Sequence, residues 1–133
     1  MIIGIPREIK TDEHRVSLTP DKVDLLARNG HQVIIEKGAG LGADFSDEDY
    51  SGVGASILNS PLDVFEQSDM IIKVKEPQPQ EYEFFHPGQI IFTFLHLAPE
   101  PELTRTLLSS KITGVAYETV QEKDGSLPLL YPM

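Results

Sequence analysis

The feature that most constrains this chain is a regular alternation of short apolar runs with amphipathic segments, joined by short, turn-rich connections. Met1–Ile5 is apolar and is stopped by Pro6, which reads as a buried strand. Thr19-Pro20-Asp21 then opens a helix, with a threonine N-cap, proline in the first turn and an acid at the positive dipole end. Val23, Leu25, Leu26 and Ala27 supply its inner stripe, and Asn29-Gly30 a left-handed stop. The pattern continues with a strand at His31–Glu36, a short helix capped by Ser46, a weak strand at Ala55–Leu58 and a helix begun by Ser60-Pro61. Strands at Met70–Val74, Ile90–Leu95 and Ile112–Ala116 follow. Between them lie a helical turn over Glu81–Phe85 and a helix over Pro99–Ser109 with Leu103, Leu107 and Leu108 inside. This spacing demands crossover connections. The expected fold is α/β: a mostly parallel sheet with helices on both faces, a flavodoxin-like or Rossmann-like three-layer domain.

Length and composition bound the function. At 133 residues the chain is one domain, able to bury roughly two thirds of its surface. It has no cysteine, which excludes disulfides, thiolate metal sites and a cysteine nucleophile. No apolar run approaches the roughly 18 residues of a membrane span, and no basic region precedes Met1–Pro6 as in a signal peptide. A soluble, cytoplasmic domain with no membrane partner is expected. No histidine pair has metal-ligand spacing, so no metal site is expected. The net charge of −10 argues against nucleic acid as a partner. Residues 1–37 carry six basic and six acidic groups, so residues 38–133, with five against fifteen, supply the whole excess. Lys73 and Lys75 are exceptions in that acidic stretch, either as ordinary solubility chemistry or as part of a site for a small anion.

An open parallel sheet binds ligands beyond the carboxyl ends of its strands. The first strand delivers a loop with His14 and Arg15 there; the Met70–Val74 strand delivers Lys75, with Glu76 behind it. Ile90–Leu95 is followed by His96, and Ile112–Ala116 by Tyr117 and Glu118. Two cations, an imidazole, a phenol and a carboxylate are thus expected on one rim. His96, between Leu95 and Leu97, is either a hydrogen-bonded core residue or a general acid/base, since imidazole titrates near neutrality. Arg15 either pairs with its acidic neighbours or offers its planar fork to a carboxylate. Lys73 and Lys75 point to one face of their strand; Lys75, at the strand end, is the better anion ligand, and Lys73 has the length to snorkel. His14, His31 and His86 read as loop or surface residues. Gly38-Ala39-Gly40-Leu41-Gly42 imitates a dinucleotide fingerprint, but its third glycine comes one position early and no helix follows directly, so it reads as flexible turn glycines near the rim.

Several blocks together carry a resemblance: Met1-Ile-Ile-Gly-Ile-Pro-Arg-Glu-Ile-Lys10, Glu13-His-Arg-Val-Ser-Leu-Thr-Pro20, Gly38-Ala-Gly-Leu-Gly42, Lys73-Val-Lys-Glu-Pro77, Phe94-Leu-His-Leu-Ala98 and Leu127-Pro-Leu-Leu-Tyr-Pro-Met133. They resemble the amino-terminal, substrate-binding domain of the alanine dehydrogenase and transhydrogenase family, over the whole chain in order. Transhydrogenases generally lack the histidine of Phe-Leu-His and the second lysine of Lys-Val-Lys, both present here. The resemblance implies an NAD-dependent oxidoreductase converting L-alanine to pyruvate and ammonia. It implies Arg15 and Lys75 as substrate-binding residues, His96 as the catalytic acid/base group, and Met133 beside both substrate and nicotinamide. Tyr117 and Glu118 are expected to orient these groups. It further implies a hexamer for the full-length enzyme, and NAD held mainly by a separate Rossmann domain absent from residues 1–133. The apolar end, Leu127–Met133, either tucks onto the surface or marks this chain as the first part of something longer. The expectation is therefore a substrate lobe inactive by itself, with a stand-alone small-carboxylate binding module or a transhydrogenase-like subunit lobe as the alternatives.

Overall fold

The computed structural model describes residues 1–132; Met133, and with it the expectation of a methionine at the cleft, lies outside the described residues. The central strand β1 (Ile2–Ile5) is flanked by β2 (Gln32–Glu36) and β4 (Met70–Ile72), and every adjacent pair runs parallel. With β3 (Ser56–Leu58), β5 (Ile90–Thr93) and β6 (Thr113–Ala116) the sheet order is 3-2-1-4-5-6. That is the Rossmann order rather than the flavodoxin order, and the sheet is wholly parallel among the described residues. Helices α1 (Pro20–Arg28) and α2 (Asp47–Ser51) cover one face; α3 (Pro61–Gln67) and α4 (Pro101–Ser109) cover the other.

Strand β2 shows why two layers of helix are needed. Val33 and Ile35 enter the core with Ile5, Val23 and Tyr50, while Ile34 between them enters the opposite core with Val64, Phe65, Ile71 and Ile91. A strand apolar on both faces is stable only when both are covered. Gly4 permits the close packing of β1 on the end of α3: a Cβ there would lie 2.0 Å from the Ser68 hydroxyl oxygen.

The helix ends follow their sequence signals with two exceptions. Ser46 and Asp49 form a reciprocal capping box, and Ser60 accepts from the Asp63 amide at 3.2 Å. Thr19 stands at the N-cap of α1, but its hydroxyl donates to the Asp21 carboxylate instead of accepting from the backbone. Helix α4 starts at Pro101, two residues later than its apolar spacing suggests, because Glu100 has a non-helical backbone. Leu25 and Leu108 are exposed, at 55% and 76%, since each lies off the three-to-four-residue stripe set by Val23–Leu26 and Leu103–Leu107.

Candidate functional site

Strands β1 and β4 are neighbours, yet the chain leaves them toward opposite edges of the sheet, which opens a crevice beyond their carboxyl ends. The loop after β1 and residues 73–78 after β4 wall it. Glu8 ties the two walls together. Its carboxylate accepts from the backbone N–H of Val74 at 3.2 Å and of Lys75 at 3.0 Å, and meets the Lys73 ammonium at 3.3 Å. Glu81 approaches the same ammonium at 3.4 Å. The Lys73, Glu8 and Glu81 side chains are 1%, 2% and 2% exposed, so Lys73 does not snorkel: two carboxylates hold its charge inside. Burial pushes the Glu81 carboxyl above its ordinary range, against the pull of Lys73.

Tyr117 is likewise not on the rim. It packs edge-on against Phe92 and Phe94, with ring centroids 4.4 and 4.7 Å away, and its hydroxyl donates to the Lys73 carbonyl at 2.8 Å. Burial drives that hydroxyl's pKa up, so it works as a fixed donor bracing the end of β4. Lys75 is braced twice, by Glu8 at its amide and by the Thr93 hydroxyl donating to its carbonyl at 2.8 Å.

Arg15 takes the first of its two expected roles, pairing with an acidic neighbour. Its Nε and Nη2 form a fork on the Glu13 carboxylate at 3.0 and 2.7 Å, and its amide donates to the same carboxylate at 2.9 Å. That hydrogen bonding, with the charges of Arg15 and Lys75, overcomes desolvation and lowers the Glu13 pKa to about 2. The pair is asymmetric: the Glu13 side chain is 6% exposed and that of Arg15 56%, so the guanidinium keeps an open edge toward solvent. Arg15 and Lys75 line one cleft of about 420 Å³. Behind Arg15, Gly42 is pressed against the His14 carbonyl, where a Cβ would come within 2.5 Å, and Gly40 against the Tyr50 ring at 2.6 Å. The glycine run is thus a close-packed floor under the Arg15 loop; only Gly38, with φ +79°, takes the left-handed conformation of a turn glycine.

His96 is exposed, not a core residue. Its backbone has φ +47°, a left-handed conformation that costs a non-glycine residue about 1–2 kcal/mol. The conformation is held by Glu118, whose Oε1 accepts from both the Leu95 amide at 3.1 Å and the His96 amide at 2.9 Å. Leu95 stays in the core while the next side chain is turned out. His96, Lys75 and Glu118 line a second cleft of about 280 Å³, closed at its sides by Lys10, Glu76 and Leu130. Lys75 therefore belongs to both clefts. At their junction Lys10 is ion-paired with Glu76. Burial works to raise the Glu76 carboxyl, but the Lys10 hydrogen bond and the charges of Lys10 and Lys75 pull it below its usual value.

Sequence reasoning missed Glu8, Lys10 and Glu81, and met Glu13 only as one of Arg15's acidic neighbours. A usable signal was present for Glu8: lysines on a buried strand face require carboxylates, and Glu8 is the acid delivered by the adjacent central strand.

A wholly parallel 3-2-1-4-5-6 sheet, with Arg15, Lys75 and an exposed His96 lining clefts beyond its carboxyl ends, defines a Rossmann-order α/β domain. The comparisons name the family. Residues 4–133 match "Alanine dehydrogenase/PNT, N-terminal domain", and the chain belongs to that family. It is 59% identical to an alanine dehydrogenase of Methanococcus maripaludis over the whole chain, which is 36% of that protein's length. A solved L-alanine dehydrogenase superposes with a TM-score of 0.96 at 48% identity, covering 99% of this chain and 36% of that one. A transhydrogenase from Sinorhizobium meliloti superposes at 0.83 with 27% identity, covering 89% of this chain and 35% of that one. The chain thus spans about a third of the length of these relatives. Its identity is far higher to the two alanine dehydrogenases than to the transhydrogenase. Among the described residues no helix is long and apolar enough to cross a membrane.

Proposed function

We propose that this chain is the substrate-binding lobe of an NAD-dependent alanine dehydrogenase, which converts L-alanine, NAD and water to pyruvate, ammonia and NADH. One observation carries the proposal: Lys75 lines both the cleft that holds Arg15 and the cleft that holds His96. A small 2-oxo or 2-amino acid needs that sharing, because its carboxylate and its reacting carbon are adjacent. The open edge of Arg15 and the Lys75 ammonium bind and orient the carboxylate end, converting positioning into rate. The exposed His96 imidazole exchanges protons with the amino group and attacking water as carbinolamine and imine form and collapse.

The nicotinamide would supply the hydride acceptor, but the described residues of this lobe do not fit a dinucleotide. Pro6-Arg7-Glu8 follows β1 where a glycine turn would cradle a pyrophosphate. Glu36, at the end of β2 where a ribose-binding acid would stand, accepts from the Arg7 amide at 2.6 Å instead. NAD would then be held mainly by a separate domain of the enzyme. The reading includes a cytoplasmic homo-oligomer, a hexamer in the full-length context, whose partner is the small-molecule substrate.

The test is a crossed pair of variants in a full-length enzyme carrying this domain. Lys75→Met is expected to abolish pyruvate binding in calorimetry, while His96→Ala retains binding and loses turnover. Undiminished pyruvate affinity in Lys75→Met, or near-normal turnover in His96→Ala, would overturn the assignment.

A further inference from the structure

Two strand-end residues of this domain are set in the same way. A carboxylate from elsewhere in the chain captures the backbone amide of the residue and of the one before it: Glu8 on Val74 and Lys75, Glu118 on Leu95 and His96. In both cases the captured residue is one assigned to chemistry, and the carboxylate comes from the segment that follows a different strand of the same sheet.

At His96 the capture has a further consequence. Beyond β5 an extended chain would carry Leu95 and the next side chain to opposite faces of the sheet, with residue 96 directed at the layer packed on it. The left-handed backbone at φ +47° redirects the imidazole into the cleft it shares with Lys75. Histidine tolerates that conformation better than branched residues do, but it is still uncommon and persists where surrounding structure fixes it. The fixing element is Glu118 Oε1, which takes two N–H donors that the ending strand leaves without a ladder partner. The other oxygen, Oε2, is buried and has no hydrogen-bond partner among the described residues, although the side chain borders the His96 cleft. A buried oxygen without a partner is costly and is retained where a function needs the group.

We propose that Glu118 is the positioning residue for His96: its carboxylate clamps the left-handed turn that presents the imidazole to the substrate's reacting carbon. Glu118 touches no reacting atom in this role and acts through His96. The inference rests on the assignment of His96 as the proton-transfer group, and the experiment separates the two.

In a full-length enzyme carrying this domain, Glu118→Ala, Glu118→Gln, His96→Ala and the double variant Glu118→Ala/His96→Ala are compared. Glutamine keeps an oxygen that accepts from both amides, so Glu118→Gln is expected to retain most of the turnover. Glu118→Ala frees the turn and is expected to lower kcat roughly 100-fold, the loss typical of a misplacement of about 1 Å, with KM for pyruvate little changed. In the His96→Ala background the Glu118→Ala change should cost nothing further. Multiplying losses in the double variant, a Glu118→Gln loss as large as that of alanine, or a kcat for Glu118→Ala within threefold of the parent would each overturn the positioning role. If His96→Ala is itself near normal, the assignment of His96 fails first, and any Glu118→Ala loss then belongs to folding, which thermal unfolding of the same variant reads independently.

Discussion

Truncating Glu8 tests whether the buried charge cluster holds the crevice together. Glu8→Ala removes one of the two carboxylates on an ammonium that is 1% exposed, and it also orphans the amides of Val74 and Lys75. Breaking a buried ion pair by deleting one partner costs about 3–5 kcal/mol, and a buried amide left without an acceptor about 1–3 kcal/mol. These losses do not add in full. Lys73 keeps Glu81 at 3.4 Å, so the cluster changes from two carboxylates on one ammonium to a one-to-one pair, and water entering the vacated space reaches part of the freed backbone. The ionic part therefore lies at the low end of its range and the amides contribute the rest, for a total of about 4 kcal/mol. Against the 5–15 kcal/mol typical of a whole domain, that is a large fraction. Glu8→Gln keeps an acceptor for one or both amides and gives up only the charge, so its cost should be about half. Urea unfolding of the 133-residue chain followed by circular dichroism measures both. A drop below about 1 kcal/mol for Glu8→Ala, with an unchanged denaturant slope, would refute the idea that Glu8 ties β1 to β4.

Two more expectations concern the Arg15 wall of the crevice. In Gly42→Ala the new Cβ meets the His14 carbonyl oxygen at 2.5 Å, about 0.9 Å short of ordinary contact, so the Arg15 loop must move; pyruvate affinity of the full-length enzyme should fall at least tenfold while thermal stability changes far less, and an unaltered Kd would show that the loop absorbs the methyl group elsewhere. Glu13 has its pKa lowered from 4.5 to about 2 by Arg15, so its contribution to stability is complete above pH 4.5 and is lost as the pH falls toward 2; Glu13→Gln should flatten the stability profile of the chain across that acid window, and an identical profile in parent and variant would mean that the Glu13–Arg15 pair contributes nothing.

The sheet and its crossovers were legible because most strands are short apolar runs bounded by proline, glycine or a helix cap, and those signals are local. Strand order was not: whether β3 or β4 lies beside β1 depends on which helix covers which face, and no residue spacing encodes that. Lys75 and His96 were legible for a similar reason, each directly following one of the expected strands Met70–Val74 and Ile90–Leu95. The partners of these residues were hidden. Glu8 meets Lys75 across 67 positions and Glu118 meets His96 across 22, so only the folded sheet brings them together. Tyr117 was misplaced on the rim because its strand-end position was read without its surroundings; Phe92 and Phe94 draw the ring inward. Lys73 was misjudged because snorkelling is the usual escape for a lysine on an apolar face, and the alternative needs two buried carboxylates that lie eight positions ahead of and 65 behind it in sequence.

On the proposed function, the arrangement at the switch point explains how a Rossmann-order domain would take a ligand other than a dinucleotide. In that topology the first loop and the end of β2 ordinarily hold a pyrophosphate and a ribose. Here the corresponding groups satisfy one another: the Arg7 amide is taken by Glu36, and burial raises the Glu36 carboxyl despite that bond. The Glu8 side chain is drawn the other way, toward β4 and its lysines. Both acids are spent on backbone amides and buried charge, which leaves the cleft itself to Arg15, Lys75 and His96. A dinucleotide would have to displace Glu36 from Arg7 and would meet no glycine turn. A small carboxylate would need neither change, because Glu13 leaves one edge of Arg15 open and Glu8 holds the Lys75 amide from the inner side. The acidic excess of the chain therefore does not oppose an anion site; part of it builds the site from behind.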